Sequence, residues 1–162
     1  MALEIERKFL VVEEKLPPLE AGLRMVQAYL TDAHNSVTLR IRQAGDKAWL
    51  TVKGRNDSIA RPEFEYQIPP SDVPGLMALA VTPPVIKTRK TICCDGKKWE
   101  IDFFEGANAG LVLAEIELAD VAETVSIPEW VGREVSGIAR YYNSCLAVSP
   151  YSEWNAADRE GT

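Results

Sequence analysis

The chain of 162 residues is poor in the side chains from which many sites are built: it has one histidine, three cysteines and three methionines. Three cysteines, two of them adjacent (Cys93 and Cys94), make no disulfide framework. With His34 as the only histidine, the Cys/His clusters of zinc sites are missing too. No apolar run approaches the length of a transmembrane helix. The N-terminus opens on charged residues, not on the basic and then apolar segment of a secretory signal. A cytoplasmic protein without a membrane partner is therefore expected. There is no repeat of solenoid period, no low-complexity tract and no linker. One domain is expected over residues 1–150, followed by a polar tail over 151–162. The net charge of −6 and a pI near 4.9 count against a nucleic-acid partner, which needs a basic surface. They leave room for a small polyanion, because bound divalent metal can reverse the field of a surface on which acids and bases are sorted.

What the chain does have is like charges spaced by two. Glu4-Ile5-Glu6-Arg7-Lys8 comes first, and the layout returns in Arg40-Ile41-Arg42, Glu63-Phe64-Glu65, Lys87-Thr88-Arg89 and Glu115-Ile116-Glu117. In a strand, residues two apart share a face, so each doublet sets like charges roughly 7 Å apart. Such a pair costs on the order of 2 kcal/mol at an effective dielectric near 20, and about 0.6 in water. One doublet on a wet face would be unremarkable. Five, sorted by sign, point to opposing groups or ligands that require the charge.

Periodicity and turn chemistry predict eight strands. They run over about 2–11, 23–31, 36–43, 47–53, 62–68, 85–93, 97–104 and 111–118, with hairpins at Ala44-Gly45-Asp46 and Asp95-Gly96. Ser71-Asp72 can cap a largely apolar helix running to about Val81, where Thr82-Pro83-Pro84 stops it. Two further short helices are expected between Ile127 and Val148, and a loose end from about Asn155. Eight antiparallel strands suffice to close a barrel. The apolar helices need an apolar surface to cover, and the outer strand faces can provide it, which turns the charged faces inward. The expected fold is therefore α+β: an eight-stranded antiparallel closed β-barrel, a tunnel with a charged interior and helices packed outside.

On the inward face stand eight acids (Glu4, Glu6, Glu63, Glu65, Glu100, Asp102, Glu115, Glu117) and six bases (Lys8, Arg40, Arg42, Lys53, Lys87, Arg89). Confined charge of this density must be paired or bind ions. Carboxylates from several strands suit hard cations such as Mg²⁺ or Mn²⁺. Arginine forks and lysine ammonium groups suit phosphate oxygens. Together they describe metal-assisted phosphoryl transfer, in which catalysis is mostly positioning and charge neutralisation.

The series Glu4-Ile5-Glu6-Arg7-Lys8, Leu39-Arg40-Ile41-Arg42, Thr51-Val52-Lys53-Gly54, Glu63-Phe64-Glu65, Lys87-Thr88-Arg89, Ile101 to Gly106, Glu115-Ile116-Glu117 and Trp130 to Val135 with Arg140-Tyr141 resembles the triphosphate tunnel metalloenzymes, the CYTH superfamily with its ExExK signature. The likeness covers roughly residues 2–147 and is to the short bacterial-type members. It implies a tunnel that holds a triphosphate through its bases and one or two divalent metals through its acids. On this likeness Glu4, Glu6, Asp102, Glu115 and Glu117 are candidate metal ligands. Lys8, Arg40, Arg42, Lys53, Lys87 and Arg89 are the candidate triphosphate clamp, joined by Arg133 from a C-terminal helical plug. Glu4, Glu6, Lys8 and Glu117 are the candidate catalytic set, and Glu63, Glu65 and Tyr29 are supporting residues. The implied activity is metal-dependent hydrolysis of a triphosphate, first of all inorganic tripolyphosphate. Thiamine triphosphate, nucleoside triphosphates, a class IV-type adenylate cyclase and a non-catalytic polyphosphate-binding module stay open as alternatives. A lipocalin-like barrel with an apolar interior is the bland alternative. His34, in a turn, is given no role; Trp130 and Tyr141-Tyr142 read as packing. Oligomeric state is unspecified, and a homodimer stays open.

Overall fold

The computed structural model describes residues 3–32, 35–55 and 59–160. His34 lies outside the described residues. Among the described residues nine strands form one antiparallel sheet: β1 (Leu3–Val11), β2 (Leu23–Tyr29), β3 (Thr38–Ala44), β4 (Lys47–Lys53), β5 (Ala60–Ile68), β6 (Val85–Cys94), β7 (Lys97–Phe104), β8 (Val112–Glu117) and β9 (Val131–Glu134). The order is β5-β4-β3-β2-β6-β7-β8-β1-β9, and β5 also pairs with β1, which closes β1 to β8 into a barrel. The seam is divided along β1. Leu3 to Ile5 pair with Pro62 to Ala60 on β5, while Phe9 and Val11 pair with β9 on the same strand. Between them the Glu6 amide donates to the Ile59 carbonyl, and the Lys8 amide donates to Ser136 Oγ at 2.9 Å. These contacts, with β8 paired along the other edge, hold the strand that carries the ExExK residues.

Turn residues explain the tight hairpins. Asp95 and Gly96 both have positive φ (49° and 75°), as the favoured two-residue hairpin turn requires, and Gly45 does likewise at 60° between β3 and β4. Pro62, which lacks an amide hydrogen, occupies β5 where that strand crosses to β1, and its carbonyl accepts from the Gly54 amide.

The apolar faces look outward, as the sequence pattern requires. One cluster lies on the outside of β1, β7 and β8, where Ile5, Phe9, Trp99, Ile101, Ala114 and Ile116 are covered by Trp130 and Val131, with Leu16, Leu19 and Val125 packed against it. A second cluster lies over β3 and β4 (Ile41, Ala48) under Val73, Leu76 and Met77 of α1 (Val73–Ala78). The helix is shorter than expected. A 3₁₀ turn, Pro70–Asp72, precedes it, Asp72 makes no side-chain cap bond, and Leu79 is 68% exposed.

Two expectations change. The segment around Trp130 is strand β9 and not a helix, with Gly132 so close to β1 that a Cβ would stand 3.1 Å from the Leu10 carbonyl oxygen. Only the later part is helical: a 3₁₀ turn, Ala139–Tyr141, and α2 (Asn143–Val148). The end of the chain, expected to be loose, returns to the barrel. Trp154 is buried edge-on against Tyr141, and α3 (Ala156–Glu160) is tied back by Arg140, which donates to Asp158 at 2.7 Å.

Candidate active site

Because the barrel turns its charged faces inward, it encloses a cavity of about 660 Å³. Its wall includes Glu4, Glu6, Lys8, Tyr29, Arg40, Arg42, Lys53, Glu63, Glu65, Lys87, Arg89, Glu100, Glu115 and Glu117. An apolar-lined barrel is thereby ruled out. One end of the interior is stoppered: α2 and its preceding turn bring Leu146, Tyr141 and Val135 against Tyr29, Phe104 and Leu113. Tyr142, Asn143 and Ser144 of this plug reach the cavity, where Asn143 accepts from Lys87 Nζ at 3.4 Å.

The cavity has two unlike sides. On β3, β4 and β5 stand Arg40, Arg42, Lys53 and Arg61, with Glu63 and Glu65 between them. Glu65 accepts from Arg42 at 3.0 Å, Arg40 at 3.3 Å and Thr51 at 3.0 Å, so it sets the angle of both guanidinium groups. Lys53 Nζ meets Glu63 and both oxygens of Glu4, all at 2.9 Å. On β1, β7 and β8 stand Glu6, Glu100, Glu115 and Glu117 against Lys8 and Lys98, the latter paired with Glu100 at 2.8 Å. Register makes this crowding: Glu6 is the cross-strand partner of Glu117, Lys8 of Glu115, and Glu100 of Glu115. Lys87 and Arg89 of β6 face both sides. Arg89 forks onto Asp102 with two bonds of 2.7 Å, reaches Glu115 at 2.8 Å and also bonds Glu100.

Burial and these neighbours set the protonation of each group. Burial works against the charge of Glu4, but Lys53 and Arg61 overcome it and hold its pKa down at about 2. Glu6 goes the other way: burial, then the Glu115 carboxylate, lift it to about 7 against the pull of Lys8. Glu115 is drawn well below the ordinary range, since Lys8, Arg89 and Lys87 outweigh its burial. Burial lowers Lys87 to about 8 although Asp102 opposes it. Negative charge on the β1–β8 side is thus incompletely neutralised.

That side fits a divalent cation. Burial and the Glu115 carboxylate raise the Glu6 pKa although Lys8 Nζ lies 3.8 Å away, and Glu117, which is exposed, has no ion-pair partner among the described residues. The donors are carboxylate oxygens, the hard ligands that Mg²⁺ and Mn²⁺ take. Among the described residues no group of three acidic, histidine or cysteine side chains is already gathered to hold a metal ion. The acids are drawn instead to lysine and arginine.

Most of the candidate residues converge, and two do not stand where the resemblance places them. Asp102 is fully buried behind the wall, beneath Lys87 and Arg89, where it orients both. Arg133 is exposed on β9, donates to Tyr141 Oη at 3.3 Å and does not line the cavity. Sequence reading passed over Arg61, which faces the cavity beside Glu4, because it stands alone before Pro62 outside any doublet. It also passed over Thr51, Ser136 and Asn143, uncharged residues that carry no such signal.

The CYTH domain family matches residues 2–142. An inorganic triphosphatase of Acetivibrio thermocellus is 42% identical over 156 residues, covering 95% of this chain and 99% of that protein. An inorganic triphosphatase of Nitrosomonas europaea is 37% identical over 149 residues, 90% and 97% of the two chains. Among solved structures, that of an inorganic triphosphatase superimposes with a TM-score of 0.66 at 35% identity, over 92% of this chain and 97% of the other. A putative adenylyl cyclase from Hippeastrum with a dominant triphosphatase activity shares the fold at a TM-score of 0.55 and 15% identity, over 74% and 80%.

Proposed function

This chain belongs to the CYTH family, and from that premise we propose that it is a divalent-metal-dependent hydrolase of inorganic tripolyphosphate. The observation that carries the reading is the two-sided tunnel: bases on β3, β4, β5 and β6 facing acids on β1, β7 and β8 across one cavity. Two relatives at 42% and 37% identity that bear the name inorganic triphosphatase support it.

Arg40, Arg42, Lys53, Lys87 and Arg89 bind the phosphate chain, Glu65 and Asp102 hold the clamp at fixed angles, and Lys8 stands among the acids of the other side, paired with Glu115. Glu6, Glu115 and Glu117 are the residues that would hold Mg²⁺ or Mn²⁺, with Glu4 available only by leaving Lys53. Bound metal supplies charge neutralisation on the phosphate oxygens and lowers the pKa of water. The residues fix the chain so that its terminal phosphorus presents one face to water in line with the leaving oxygen. The α2 plug limits solvent to one end. A tunnel this deep suits a linear polyanion, whose recognition needs cations and no cage for an organic group.

Phosphate release and cyclic nucleotide are to be measured with tripolyphosphate, thiamine triphosphate and ATP, each with Mg²⁺, Mn²⁺ or chelator. Metal-dependent release of phosphate from tripolyphosphate in preference to the others is expected. Cyclic AMP, or hydrolysis unaffected by chelator, would overturn the reading.

A further inference from the structure

Arg61 is a cavity cation that neither the doublets nor the family likeness picked out. It is the cross-strand partner of Glu4 in the short β1–β5 pairing that closes the barrel, so its place is fixed by the seam itself. Its side chain is 21% exposed and lines the cavity. Only Nε is engaged, donating to Glu4 Oε2 at 3.0 Å; the two terminal nitrogens meet no acceptor among the described residues. Glu4 in turn is held on both oxygens by Lys53.

We propose that Arg61 is a further substrate-binding residue of the triphosphate tunnel, anchored through Nε by Glu4 and presenting its terminal nitrogens to an outer phosphate of the chain. The proposal rests on the triphosphatase reading and adds a residue to it. A guanidinium has five donors in a planar fork, so one edge can be fixed by a carboxylate while the other stays open to phosphate oxygens. The open edge here lies in a cavity whose neighbouring cations, Lys53, Arg40 and Arg42, already belong to the proposed clamp. On this account Glu4 positions two cations, Lys53 and Arg61, at the β5 end of the tunnel. A lysine at 61 has its donors on one atom and lacks the planar fork, so it cannot be fixed by Glu4 along one edge while offering a second, parallel pair of donors to phosphate.

The test is tripolyphosphate binding by calorimetry in chelator, Mn²⁺ binding alone, and steady-state hydrolysis, for wild type, Arg61→Lys and Arg61→Gln. Both variants should weaken tripolyphosphate binding about tenfold or more and raise KM accordingly, as loss of charge-assisted hydrogen bonds does. Their affinity for Mn²⁺ alone should stay within about twofold, because among the described residues Arg61 makes its hydrogen bond and ion pair to Glu4 and none to Glu6, Glu115 or Glu117. If wild type hydrolyses tripolyphosphate and both folded variants keep its KM and affinity, Arg61 is not a substrate contact. A loss of kcat and of Mn²⁺ affinity at unchanged tripolyphosphate binding likewise overturns the proposal, because Arg61 would then act by holding Glu4 for metal. Failure of wild type to bind or hydrolyse tripolyphosphate instead strikes the proposed function.

Discussion

The two sides of the tunnel are made of the same strand geometry and differ in how completely their charge is satisfied. Around β3, β4 and β5 each acid is spent on a base: Glu65 serves Arg40 and Arg42, and Glu63 serves Lys53 together with Glu4, which reaches across from β1. On β1, β7 and β8 acids stand opposite acids, Glu6 beside Glu117 and Glu100 beside Glu115; Glu115 and Glu100 are paired with Lys8, Arg89 and Lys98, but Glu117 has no ion-pair partner among the described residues. The first side is a set of oriented cations ready for an anion. The second is an excess of carboxylate that a cation would relieve. A buried ion pair is weak evidence of stability, since desolvation offsets the attraction. The arrangement is better understood as a binding surface kept soluble by its own counter-charges.

Removing a carboxylate from the acidic side is expected to have the largest effect. Glu117→Gln should lower kcat for tripolyphosphate by about 10³-fold, as loss of several kcal/mol of transition-state charge stabilisation implies. It should leave metal-free tripolyphosphate binding nearly intact. Equal losses in both measurements would erase the distinction between the sides. Next in size is Arg42→Ala, which should raise KM by about tenfold with Mn²⁺ affinity unchanged; a selective loss of Mn²⁺ affinity would place metal on the wrong side.

Glu6 allows a pH test that needs no substrate. Its folded pKa of about 7 lies above the ordinary value of 4.5, so the folded state keeps a proton that the unfolded chain gives up between them. Below 4.5 the group costs nothing. The cost grows as pH rises from 4.5 to 7 and is constant above. Metal-free Glu6→Gln should therefore gain stability over wild type, on the order of 2 kcal/mol more at pH 8 than at pH 5.5, in denaturant melts. A gain independent of pH would show that Glu6 is not strained by its neighbours. The smallest effect belongs to the exterior: Glu134→Gln, which loosens the half-exposed Arg7 pair on β9, should cost no more than about 1 kcal/mol and leave KM unchanged.

The strands and the direction of their charged faces were legible because a period of two survives any tertiary context that keeps a strand a strand. The doublets supply ten of the fifteen charged side chains that line the cavity among the described residues. What the pattern could not carry was anything set by a single residue or by packing between distant segments. Arg61 has no doublet partner of its own sign, and only the β1–β5 pairing brings it to Glu4. Residues Val131 to Glu134 have the composition of either element, and contact with β1 decides for strand. Asp102 shares a face with Glu100 in the sequence, but it lies deeper in the barrel, under Lys87 and Arg89, and is turned into a support for them.

The central claim is that metal and phosphate chain occupy opposite sides of one cavity. It is tested most directly by a crystal structure with Mn²⁺ and tripolyphosphate, with manganese located by anomalous scattering. The account predicts manganese among Glu6, Glu115 and Glu117, and phosphate oxygens against Arg40, Arg42, Lys53 and Arg61. Manganese held by Glu63 and Glu65, or a phosphate chain lying outside the barrel, would contradict it.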